Sequence, residues 1–104
     1  MSDKIIVEVD EDLESLMDSY LAKRLEDIQT ITDLSAEEEF SKIQALAHKM
    51  KGSGGGYGLD FISEVGLNLE VYAKSSQPEP IFEWLAKLKD FLERLEVHYV
   101  EEDE

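Results

Sequence analysis

The sequence predicts an all-α protein, an antiparallel four-helix bundle with a short extended N-terminal segment, and three observations carry that expectation. Apolar residues recur at three- and four-residue spacing in four separate stretches. Short connections bearing helix start and stop residues join those stretches. The chain has 104 residues, 42% of them apolar and none of them cysteine, enough for one hydrophobic core without disulfides or thiolate metal sites. Amphipathic helices with one apolar stripe apiece bury those stripes against each other. One domain over residues 1–104 is the expected organisation.

Residues 5–9 (Ile-Ile-Val-Glu-Val) alternate like a strand, but the run is short and no second strand offers itself. An extended segment packed over the bundle is expected there. Helix one is expected over about 10–30, where Leu13, Met17, Tyr20, Leu21 and Ile28 share a face and Asp10, Glu11 and Asp12 suit the positive end of the helix dipole. Helix two starts at about residue 35, at a capping box formed by Ser35 and Glu38, and carries Phe40, Ile43, Ala47 and Met50 inward. Asp60 caps helix three, about 60–74, with Phe61 or Ile62, Val65, Leu69 and Tyr72 on its stripe. Gly66 is small enough to let a neighbour come close. Residues 75–80 form a loop, and Pro80 fits the first position of helix four, about 80–101. Ile81, Leu85, Leu88, Leu92, Leu95 and Tyr99 step along it by fours and threes.

Charge narrows the function. A formal net charge of -15 repels phosphate backbones and anionic lipid, so nucleic-acid and membrane-surface roles are disfavoured and a protein partner is expected. The N-terminal apolar patch is too short for a signal peptide or a membrane span, which predicts a soluble cytoplasmic protein. Nothing in the sequence demands a dimer, so a monomer is expected.

Against that acidic background, residues 40–59 hold three lysines and no Asp or Glu, and His48 lies among them. On its own helix face the neighbours of His48 are Ser41, Gln44, Ala45, Lys51, Gly52 and Gly55, none of them acidic or large and apolar. Since Ile43, Ala47 and Met50 take the core stripe, the imidazole is turned to solvent. A lone histidine is ordinarily a satisfied core residue or an incidental surface group; the small residues around this one weigh against both. Neutral imidazole is a good nucleophile near neutral pH. Lys51, one turn on, can reach an anion held on the ring, whereas Lys49 is angularly offset. No acid or thiol on this face supports a Ser-His-Asp or Cys-His system, and no ligand set for zinc is evident.

Five of the seven residues over 52–58 are glycine, each costing about 0.8–1.0 kcal/mol relative to alanine inside a helix. Either helix two stops near Lys51 and a flexible loop follows, or the missing side chains admit a partner or helix three beside His48. A phosphate-cradling P-loop fails, since no Gly-Lys-Ser/Thr ending and no preceding strand are present. Tyr57, set among the glycines, reads equally as a packing plug or a docking residue. Trp84, Phe91 and His98, seven apart, read as a flank of the core, with His98 a surface group favoured by the end of the helix dipole.

The run His48-Lys49-Met50-Lys51-Gly52-Ser53, with Gly58 as a later glycine, resembles the motif of the histidine phosphotransfer (HPt) domain of bacterial two-component phosphorelays, His-x-x-Lys-Gly-(Ser/Ala) followed by Gly. The resemblance extends over nearly the whole chain. It implies that His48 is the phosphoacceptor, taking a phosphoryl group from an aspartyl phosphate on a response-regulator receiver domain, including that of a hybrid sensor kinase, and passing it to another receiver. It implies that Lys51 stabilises the phosphoryl group, that Gly52 leaves room beside the imidazole and that helix two continues beyond the motif, spanning about 35–57. Gln44, Ala45, Lys49, Gly52 and Gly55 would form the docking face. No cofactor of its own is implied; Mg²⁺ would reside in the partner receiver. With no ATP-binding motif in the chain, autonomous kinase activity is not expected. Two other readings compete: a receiver- or kinase-binding inhibitory module that carries no phosphate, and an acidic structural bundle.

Overall fold

The computed structural model describes residues 3–101. In chain order it contains strand β1 (Ile5–Asp10), a 3-10 turn (Glu11–Leu13), helices α1 (Glu14–Ala36) and α2 (Phe40–Gly54), a second 3-10 turn (Gly55–Tyr57), α3 (Asp60–Lys74), α4 (Pro78–Arg94) and strand β2 (Leu95–Val100). Each helix contributes its stripe to one core. Met17 and Ile31 come from α1, Ile43, Ala47 and Met50 from α2, Ile62, Val65 and Leu69 from α3, and Ile81, Leu85 and Leu88 from α4, all essentially inaccessible to solvent. No helix among the described residues is long and apolar enough to cross a membrane.

The ends of the chain depart most from expectation. Helix four stops at Arg94, not near residue 101, because Leu95 turns extended (φ -68°, ψ 132°) and β2 pairs in parallel with β1. The register runs from Ile5 opposite Leu95 to Asp10 opposite Val100. Leu95, Val97 and Tyr99 are partly buried against the core together with Ile5 and Val7. Their period-two pattern, rich in β-branched and aromatic residues, suits a strand. The three- and four-residue steps through Leu92, Leu95 and Tyr99 suit a helix as well, which is why the sequence misleads here. The all-α expectation is therefore corrected to four helices with a two-stranded parallel ribbon. The whole helical unit serves as the crossover that a parallel pair requires.

A second correction concerns the α1–α2 connection. Ile31 is fully buried and Leu34 packs on the core, so the stripe of α1 continues past residue 30 to Ala36. Ser35 is thus a buried residue of the last turn of α1, not the cap of the next helix. Glu38 takes a left-handed conformation (φ 58°), and Glu39 N–H donates to the Leu34 carbonyl at 2.9 Å, closing α1 in the manner of a Schellman turn. Helix α2 then begins at Phe40, with Lys42 and Ile43 donating to the Glu39 carbonyl. Smaller shifts occur elsewhere: Asp60 is the first residue of α3, and α4 opens on Pro78.

Glycine sets the separation of α2 and α3. A Cβ on Gly66 would stand 2.8 Å from both the Ala47 carbonyl oxygen and Lys51 Cα, and nearer still to the Lys51 nitrogen. One on Gly54 would stand 2.5 Å from the Ser63 nitrogen and 2.7 Å from its Oγ. Neither position admits a side chain without moving backbone. Gly58 ends the segment in a left-handed conformation (φ 77°) favourable to glycine. Close packing by α3 is what lets α2 run to Gly54 against its own low helix propensity.

Candidate functional site

His48 projects from the outer face of α2 with its side chain 68% exposed. Its Nδ1 lies 3.1 Å from Oε2 of Glu70, on α3. The other carboxylate oxygen of Glu70 lies 2.8 Å from Lys51 Nζ. One carboxylate thus ties together the histidine and the lysine of the motif. Glu70 is only 18% exposed, and its pKa is held below the usual carboxylate value: the Lys51 hydrogen bond is the main cause, with the His48 hydrogen bond adding to it and partial desolvation opposing.

An ionised carboxylate can only accept, so at Nδ1 the imidazole must be the donor. In the neutral ring the proton is then on Nδ1 and the lone pair on Nε2. Among the described residues Nε2 makes no hydrogen bond, and it belongs to an exposed side chain. The unprotonated nitrogen of this exposed imidazole is thereby Nε2, with a cation one helical turn away in sequence.

Ser41, Gln44, Ala45, His48, Lys49 and Glu70 line a shallow depression on this face. Gln44, Ala45 and Lys49 accordingly stand beside His48. Gly52 is exposed, and a Cβ there would meet nothing within 4 Å, so the surface beside the motif is open. Gly55 is placed elsewhere. Its N–H donates to Ser63 Oγ at 2.8 Å, and it borders a separate depression with residues of β1 and the first 3-10 turn.

Glu70 is the residue that sequence reasoning missed. The His48 face of α2 itself carries no acid, and this one is delivered across the helix seam from α3. A signal was available: Gly66 marks the side of α3 that approaches α2, and Glu70 is one turn further along that side.

Other conspicuous residues have structural explanations. Tyr57 stacks on Tyr20 with ring centroids 3.9 Å apart, and Tyr20 Oη shares a 2.8 Å hydrogen bond with Ser53 Oγ. Both contacts tie the glycine-rich end of α2 to α1. Arg24 lies over the Tyr20 ring and bonds the buried Asp27 at 2.9 Å. Trp84 packs near Phe61, with Lys87 over its ring. His98 belongs to β2, not to a helix end, and pairs with Glu96, whose pKa it lowers. Among the described residues no group of three or more His, Cys, Asp or Glu is arranged to hold a metal ion.

A helical fold around one core presents an exposed histidine backed by a lysine one turn later. The Hpt domain family matches residues 2–98. The chain belongs to the Hpt domain family, whose members carry out histidine phosphotransfer in phosphorelays and interact with receiver domains of response regulators. Searches of curated proteins and of solved structures gave no match.

Proposed function

We propose that His48 accepts a phosphoryl group from the phospho-aspartate of a receiver domain and relays it to a second receiver. Nε2 attacks phosphorus in line; the N–P bond forms as the P–O bond to the aspartyl carboxylate breaks, and that carboxylate leaves with the electron pair. The product ring is an N-phosphorylated imidazolium still protonated at Nδ1. Its positive charge faces Glu70, and the phosphoryl oxygens come within reach of Lys51. Return transfer to an aspartate reverses each step. Mg²⁺ and the acyl phosphate chemistry belong to the receiver, and the chain contributes nucleophile, orientation and charge.

The observation that carries this reading is the Glu70 contact at Nδ1, which leaves an exposed Nε2 as the nucleophile. Open surface at Gly52 and the depression bordered by Gln44, Ala45 and Lys49 support receiver docking on this face. We assign the working form as a cytoplasmic monomer. Incubating wild type and His48→Gln with phosphorylated receivers tests the proposal. Label on wild type and none on the variant is expected. A His48→Gln protein that still restrains the receiver or its kinase would instead favour the inhibitory module.

A further inference from the structure

Helix α3 touches Lys51 at three levels. Ser63, Gly66 and Glu70 are spaced by three and four residues and so share one face of α3. The Ser63 hydroxyl donates to the Lys51 carbonyl at 2.8 Å. Gly66 lies against the Lys51 backbone, and Glu70 holds the ammonium. The same Ser63 oxygen accepts the Gly55 N–H at 2.8 Å. Lys51 and Gly55 are four apart, so the hydroxyl joins the carbonyl and the N–H that an α-helix would ordinarily join directly. Gly54 makes this possible, since a Cβ there would come within 2.7 Å of Ser63 Oγ. The hydroxyl is therefore stitched into the last turn of α2, at the point where glycine leaves that turn weakest.

We propose that Ser63 is a positioning residue for the phosphohistidine site: it fixes the Lys51 backbone at the end of α2, so that the ammonium stays within reach of Glu70 and of a phosphoryl group on His48. The inference rests on the phosphotransfer reading above. It also accounts for Gly54, which the motif does not require. Gly54 admits the hydroxyl, which accepts the backbone N–H of residue 55, a donor that any residue but proline would supply. Without the hydroxyl the glycine-rich turn frays and Lys51 loses its fixed origin, although its side chain is untouched.

The test uses the full chain as wild type, Ser63→Ala, Lys51→Ala and the double variant. His48 is phosphorylated with phosphoramidate, a small N-phosphoryl donor, and exchange of the Gly55 amide is followed in the unphosphorylated proteins. Ser63→Ala should speed Gly55 exchange and slow labelling by roughly fivefold, the effect of one hydrogen bond of ordinary strength. In the Lys51→Ala background it should slow labelling no further, because Ser63 acts through Lys51. Equal slowing in both backgrounds, or a Ser63→Ala rate equal to wild type, overturns the inference. Ser63→Thr, which keeps the hydroxyl, should restore both readouts; a folded Thr variant that stays slow also overturns it. A wild type that takes no label on His48 is a different failure, of the phosphotransfer reading itself, and this inference falls with it.

Discussion

Replacing Gly66 by alanine sets two effects of opposite sign against each other. Helix propensity alone favours the change by about 0.8–1.0 kcal/mol. Sterics oppose it, because the new methyl would stand 2.8 Å from the Ala47 oxygen and Lys51 Cα, where ordinary contact begins at 3.4 Å. These are backbone atoms and cannot rotate away, and the Lys51 nitrogen is nearer still, so α3 must retreat by about 1 Å, with a strain cost of about 1–3 kcal/mol typical of overpacking. The upper part of that range applies to a backbone clash, leaving a net loss of about 1–2 kcal/mol. For a domain of this size that lowers Tm by roughly 5–10 °C. The retreat carries Glu70, one turn along, from 3.1 Å to about 4 Å from His48 Nδ1, beyond hydrogen-bond reach, while the 2.8 Å ion pair to Lys51 stretches but survives. Labelling of His48 should slow by about tenfold, the lower end of the range for losing an orienting partner. Thermal unfolding and labelling kinetics are the assays. A rise in Tm with unchanged labelling would refute the reasoning, showing that the seam is loose and that Glu70 does not depend on it.

Glu70→Gln keeps an acceptor for Nδ1–H but removes the charge opposite the phosphorylated ring; it should slow labelling less than Glu70→Ala, which removes both, as a rate series would show. The lowered pKa of Glu70 makes a prediction about acid stability. A carboxylate with a depressed folded pKa contributes stability that is fully present above its unfolded value of about 4.5 and lost as pH falls through the lower folded value. Wild type minus Glu70→Gln stability, from denaturant unfolding at several pH values, should therefore shrink below about pH 4.5; subtracting the variant removes the general relief of repulsion on titrating this acidic chain. Ile43→Ala, at a fully buried position facing the other helices, should cost about 2–5 kcal/mol in the same assay while leaving His48 exposed. Residues 95–100 should give extended, not helical, backbone chemical shifts, with cross-strand contacts between Val7 and Val97.

Sequence legibility followed the range of the interactions. The core stripes of α2, α3 and α4 were readable because they are set by periodicity within one element: Ile43, Ala47, Met50, Val65, Leu69, Ile81, Leu85 and Leu88 all point inward. The exposure of His48 followed from the same geometry. What escaped depends on pairing between distant segments. β1 looked partnerless because its partner is 90 residues away, in a stretch whose spacing also fits a helix. Ser35 carried the right chemistry for a cap, but burial of Ile31 and Leu34 extended α1 through it. Glu70 was invisible to a reading confined to one helix face, although Gly66 already indicated that α3 comes close. The glycine at 54 is explained only by Ser63 of α3, which packs against it.

The central claim is that Glu70, by holding Nδ1, dedicates Nε2 of His48 to phosphoryl transfer. Nitrogen-15 NMR of the phosphorylated protein, with imidazole-labelled histidine, reads the site of the N–P bond directly. Phosphorus on Nε2 of His48, with Nδ1 still protonated and hydrogen-bonded, is the predicted result. Phosphorus on Nδ1, or on any residue other than His48, would contradict the account.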